Sequence, residues 1–107
     1  MGKLEKKVAV ITGAASGIGR AAAIRFAGEG ATIVIADINR EGGEAVVREC
    51  KEHAGHAVFQ LTDVANEEDI SGAVNRAVKE FGHLDIMYNN AGLGGAVGPL
   101  EKITAEN

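Results

Sequence analysis

Short apolar runs alternate along this chain with segments whose apolar residues recur every three or four positions. Val8-Ala9-Val10-Ile11 and Thr32-Ile33-Val34-Ile35-Ala36 are apolar almost without interruption and rich in β-branched residues. Such runs predict strands covered on both faces, as in a parallel sheet. His56 to Leu61 and Leu84 to Asn89 are two further strand candidates. Three helical patterns lie between them. The first runs from Gly17 to about Glu29, with Ile18, Ala22, Phe26 and Ala27 on one side and Gly30 as its stop. The second runs from about Arg40 to His53, with Val46, Val47 and Cys50 inward; Gly42-Gly43 weakens its first turn and Gly55 ends it. The third has the clearest period. Asn66 is its N-cap, Glu67, Glu68 and Asp69 fill the first turn, and Ile70, Ala73, Val74, Ala77, Val78 and Phe81 share a face before Gly82. A glycine-rich loop, Ala91 to Pro99, follows, and Thr104 is a candidate cap for one more helix.

Strand and helix alternate as βαβαβαβ, with connections long enough for crossover helices. Right-handed crossovers then give a parallel sheet of order 3-2-1-4 with helices on both faces. That is the first part of a Rossmann-type, doubly wound α/β fold.

Composition narrows the class. The chain has 107 residues, 46% hydrophobic, enough for one small domain with a modest core. Lys and Arg number 11 against 15 Asp and Glu, a net charge of −4. Binding to nucleic acid or to an anionic membrane calls for basic clusters, and the balance gives none. No apolar run approaches the ~18 residues of a membrane span. The single Cys excludes an internal disulfide and fits a reducing compartment, so the expected location is cytoplasmic.

The candidate chemistry sits where strand one meets helix one, at Thr12-Gly13-Ala14-Ala15-Ser16-Gly17-Ile18-Gly19. A helix start leaves backbone N–H groups unpartnered and carries a partial positive charge, which suits a phosphate. Glycine allows the close approach and the positive φ such a turn requires. A nicotinamide dinucleotide is the expected ligand. Asp37 ends strand two, where its carboxylate can accept from both hydroxyls of the adenosine ribose and repel a 2′-phosphate. Ile38 beside it offers that phosphate no charge, although Arg40 lies three residues beyond Asp37. NAD is therefore expected over NADP. Asp63-Val64 follows strand three at the same sheet edge, placed for the adenine amino group and ring. A helix-capping role for Asp63 is compatible with that. Asn89-Asn90-Ala91-Gly92 ends strand four with small residues that leave room for the cofactor ribose; Asn89 suits a tie between neighbouring strands. The three His and Cys50 show no metal-ligand spacing.

Taken together, T-G-x-x-x-G-I-G, the Asp after strand two, D-V after strand three and N-N-A-G resemble the short-chain dehydrogenase/reductase family over approximately residues 5–107. The resemblance implies Gly13, Gly17 and Gly19 at the pyrophosphate turn, and Ser16 and Ile18 at the phosphate and nicotinamide sides. Asp37, Ile38, Asp63, Val64, Asn90, Ala91 and Gly92 complete the implied cofactor contacts. Ser16 stands where NADP-using relatives often carry a basic residue. The implied reaction is reversible oxidation of a secondary alcohol to a ketone with hydride moving to or from nicotinamide. The partners implied are a small alcohol or ketone and, for a full-length form, further copies of the chain.

The family's acid/base set of Ser, Tyr and Lys does not map onto these residues. The only Tyr is Tyr88, four residues before Gly92, and the only Ser residues are Ser16 and Ser71. No catalytic residue is assigned. The expectation is an N-terminal cofactor-binding part, residues 1–107, of one Rossmann domain, with strand four an exposed edge and low stability in isolation. A non-catalytic NAD-binding module is the alternative. A methyltransferase of related fold does not explain N-N-A-G.

Overall fold

In the computed structural model, which describes residues 3–53 and 55–90, four strands and three helices alternate. They are β1 (Val8–Thr12), α1 (Gly17–Gly28), β2 (Thr32–Asp37), α2 (Arg40–Glu52), β3 (His56–Leu61), α3 (Glu67–Phe81) and β4 (Ile86–Asn89). All pairings are parallel and the order is β3-β2-β1-β4, as the crossover rule predicts. β1 lies in the middle: Thr12 pairs with Ala36 on one side and with Asn89 on the other.

The two-residue period of the strands divides the core between two faces. Ala9, Ile11, Ile33 and Ile35 meet Ala23 and Ala27 of α1 and Val46 and Cys50 of α2. Val8, Val10, Val34 and Ala36 meet Ala73 and Ala77 of α3. All five residues of β1 are buried, which is why its sequence is apolar throughout rather than alternating.

Three expectations need correction. α1 buries Gly19, Ala23 and Ala27, whereas Ile18 is 70% exposed and does not join the core. A glycine turn sets the helix phase here, and its buried stripe is made of small residues that hydropathy barely marks. Val78 of α3 is likewise exposed, at the edge of its apolar face. β4 begins at Ile86, not Leu84. The Asp85 carboxylate accepts from Val8 N at 2.9 Å, and this side-chain bond holds the strand entrance.

Candidate functional site

The carboxyl ends of β1, β2 and β3 and the start of α1 converge on one cleft of about 460 Å³. Its lining comprises Gly13, Ser16, Gly17, Ile18, Asp37, Ile38, Thr62, Asp63, Val64 and Asn90. In an open parallel sheet this carboxyl edge, where connections leave neighbouring strands for opposite faces, is where ligands bind.

The turn from β1 into α1 is bounded by two glycines in the left-handed region, Gly13 at φ +64° and Gly17 at φ +62°. A side chain at Gly17 would meet nothing within 4 Å, so the space above it is open to a ligand. Gly19 works differently. A Cβ there would lie 2.3 Å from the Gly13 carbonyl oxygen and 2.7 Å from Asn90 Nδ2. Gly19 is buried and does not line the cleft; its bare backbone lets the first turn of α1 close against the loop.

The three helix starts differ in a way that matters. α2 is capped by Asn39, which accepts from Gly42 N at 2.9 Å. α3 is capped by Asn66, which accepts from Glu68 N at 2.8 Å, and has three acidic residues in its first turn. α1 has neither: Ser16 makes no side-chain cap and the first turn contains no acid. Gly17 and Ile18 at this start line the cleft, and no side-chain cap or acidic residue of the first turn competes there for the positive helix end.

Asp37 stands beside that start. Its Oδ2 accepts from Ala15 N at 3.0 Å and its Oδ1 from Asn39 N at 2.9 Å. Each oxygen keeps capacity for a further donor. On the far side, Asp63 Oδ1 accepts from Ala65 N at 2.9 Å, an Asx turn, while Asp69 Oδ2 accepts from Asp63 N at 2.9 Å. The cap of α3 is Asn66, so Asp63 shapes the approach to that helix instead of capping it. Ile18 and Ile38, 70% and 65% exposed, put apolar surface on the cleft rim.

Thr12 locks the third side. Its hydroxyl donates to Asn89 Oδ1 at 2.8 Å and accepts from Asn90 N at 2.9 Å. Asn89 thus ties β4 to β1, as its residue type suggested, while Asn90 lines the cleft. Thr62 is the one lining residue that sequence reading missed. It is buried, its N–H donates to the Asp37 carbonyl at 2.9 Å, and its hydroxyl donates to Gln60 O. Its position between a strand end and Asp63 was the only signal available. Ala91 and Gly92 lie outside the described residues.

The remaining notable side chains have structural roles. Arg20 pairs with Glu49, joining α1 to α2, which raises the guanidinium pKa and lowers that of the carboxyl. Tyr88 sits in β4 with its ring 6.2 Å from that of Phe26. Burial pushes the Cys50 thiol up to about 11. Among the described residues no group of three or more His, Cys, Asp or Glu could hold a metal ion, and no helix is long and apolar enough to cross a membrane.

Comparison with known proteins agrees with this geometry. Residues 7–107 match the family model for short chain dehydrogenase. A 3beta-hydroxysteroid dehydrogenase of Mediterraneibacter gnavus is 42% identical over 96% of this chain and 37% of its own length. A cyclohexanol dehydrogenase of Acinetobacter sp. is 41% identical over 97% of this chain and 41% of its own. The chain therefore spans about two fifths of these relatives. Among solved structures, a hydroxysteroid dehydrogenase from Escherichia coli superposes with TM-score 0.81 at 41% identity, covering 86% of this chain and 39% of that one. A short chain dehydrogenase from Mycobacterium paratuberculosis bound to NAD gives TM-score 0.80 at 35% identity, covering 87% and 39%. With this sheet order, this glycine turn and this match along nearly its whole length, the chain belongs to the short-chain dehydrogenase family.

Proposed function

We propose that this chain is the NAD(H)-binding part of an oxidoreductase that interconverts a secondary alcohol and a ketone. The observation that carries the reading is the pairing of an uncapped helix start with a carboxylate. α1 starts without a side-chain cap, with open space beside Gly17, and Asp37 stands at the next strand end. The donor set fits a diphosphate, and the carboxylate fits a ribose diol. In this reading Ser16, Gly17 and the backbone of Ile18 hold the diphosphate, with the Ile18 side chain towards the nicotinamide. Asp37 takes the adenosine ribose, and Ile38, Asp63 and Val64 border the adenine. Asn90 borders the inner ribose, with Ala91 and Gly92 following it. Gly13 and Gly19 shape the turn.

When bound, the coenzyme supplies the hydride acceptor or donor. The described residues bind it, orient it and keep its charged linker against the helix start. The acid/base step is not assigned to them, since the sole Tyr is packed within β4. The whole protein would take a small alcohol or ketone, work in the cytoplasm and assemble from several copies.

Titration calorimetry tests the coenzyme assignment. NAD binds more tightly than NADP, because a 2′-phosphate would sit against the Asp37 carboxylate. Tighter binding of NADP would contradict the role given to Asp37.

A further inference from the structure

The loop between Gly13 and Gly17 must hold its amides in place before any phosphate arrives. Gly13 N is fixed to Ala36 O at 2.9 Å, at the sheet end. Farther along, Ala15 N donates to Asp37 Oδ2 at 3.0 Å. That is the one side-chain hydrogen bond to the middle of the loop among the described residues. Asp37 is itself anchored: its Oδ1 accepts from Asn39 N at 2.9 Å, and its backbone carbonyl accepts from Thr62 N at 2.9 Å. The Asp37 backbone is thus braced from the end of β3 and its carboxylate from the start of α2, while the carboxylate holds the loop that follows the neighbouring strand β1.

From this we propose that Asp37 is a positioning residue for the phosphate loop, in addition to reading the adenosine ribose. The proposal rests on the function proposed above and deepens it. A tether through Ala15 N fixes the loop from which the diphosphate donors emerge, so Asp37 acts on a part of the ligand that it does not touch. One side chain then couples two parts of the site. Removing it weakens the grip on the phosphate as well as the choice of sugar.

The consequence is measurable with a ligand that has no adenosine. Nicotinamide mononucleotide carries a phosphate for the loop and only the nicotinamide ribose, so it lacks the adenosine ribose assigned to Asp37. In the protein as it exists, Asp37→Ala lowers affinity for this mononucleotide about tenfold, the scale of losing one hydrogen bond to a charged acceptor. Asp37→Asn keeps one oxygen, which can serve Ala15 N, but loses the charge and gives up the bond from Asn39 N. It restores mononucleotide affinity to within about threefold of the unmodified protein while the preference for NAD over NADP collapses. A role confined to the ribose gives the opposite first result: Asp37→Ala binds the mononucleotide as the unmodified protein does, and the proposal falls.

A second measurement needs no variant. In ligand-free protein the Ala15 amide exchanges its hydrogen more slowly than the Gly17 amide, because Asp37 accepts from it. Equal exchange at the two positions overturns the tether even if Asp37→Ala does not fold. Failure of the broader reading looks different. If the cleft is no dinucleotide site, the unmodified protein binds neither NAD nor the mononucleotide, whatever the Ala15 exchange rate.

Discussion

The hydroxyl of Thr12, at the last position of β1, donates to Asn89 Oδ1 of β4 at 2.8 Å and accepts from the next backbone N–H, Asn90, at 2.9 Å. One buried side chain thereby closes the end of the sheet at the point where the cleft begins. Thr12→Val preserves shape and removes both bonds. It leaves an acceptor and a donor without that partner, which costs about 1–3 kcal/mol. Urea unfolding should show that loss, with the slope against denaturant unchanged, and Thr12→Ser should recover most of it. A Thr12→Val protein as stable as the original would mean that these two bonds add nothing to stability.

Gly17 and Gly19 are two residues apart and should fail in different ways. At Gly17 an alanine has room but the wrong backbone conformation, at a cost of about 1–2 kcal/mol, and its methyl enters the space left for the ligand. At Gly19 the methyl meets the Gly13 carbonyl and must push the loop away from α1. Gly17→Ala should therefore lower NAD affinity more than stability. Gly19→Ala should lower both and carry the larger stability loss. Paired calorimetry and thermal melts separate the two.

Cys50 gives a prediction in pH. Its pKa is near 9.0 in an unfolded chain and about 11 in the folded protein, because burial disfavours the thiolate. The native state holds the proton more tightly. The contribution to stability is therefore complete below about pH 9 and is lost as pH rises towards 11. The difference in unfolding free energy between the protein and Cys50→Ala should fall by about 2–3 kcal/mol across that window. Below pH 9 the native thiol should react with iodoacetamide far more slowly than a free cysteine. Rapid alkylation of native protein at pH 8 would contradict the burial.

Strand order and helix placement were legible because the apolar pattern repeats: a two-faced buried run, then a helix, three times over. Asn66 could be read as a cap because acids crowd the turn after it. Asn39 occupies the same position before α2, where Gly42-Gly43 obscures the helix start in the sequence. Ile18 lies off the core because the buried side of α1 is Gly19, Ala23 and Ala27, residues too small to register as a hydrophobic stripe. Half of the cleft lining, Asp37, Ile38, Asp63, Val64 and Asn90, could be read from residue types at strand ends, and Ser16 and Ile18 only from the family resemblance. What sequence could not give was the division of labour within it. Gly19 packs instead of facing the ligand, and Asp37 holds Ala15 N as well as facing the open cleft.

The most direct test is a structure of the protein in complex with NAD. The diphosphate should lie within hydrogen-bond distance of the backbone N–H groups at Gly17 and Ile18, with both adenosine ribose hydroxyls on the Asp37 carboxylate. A diphosphate bound elsewhere, or a ribose turned away from Asp37, would contradict the account.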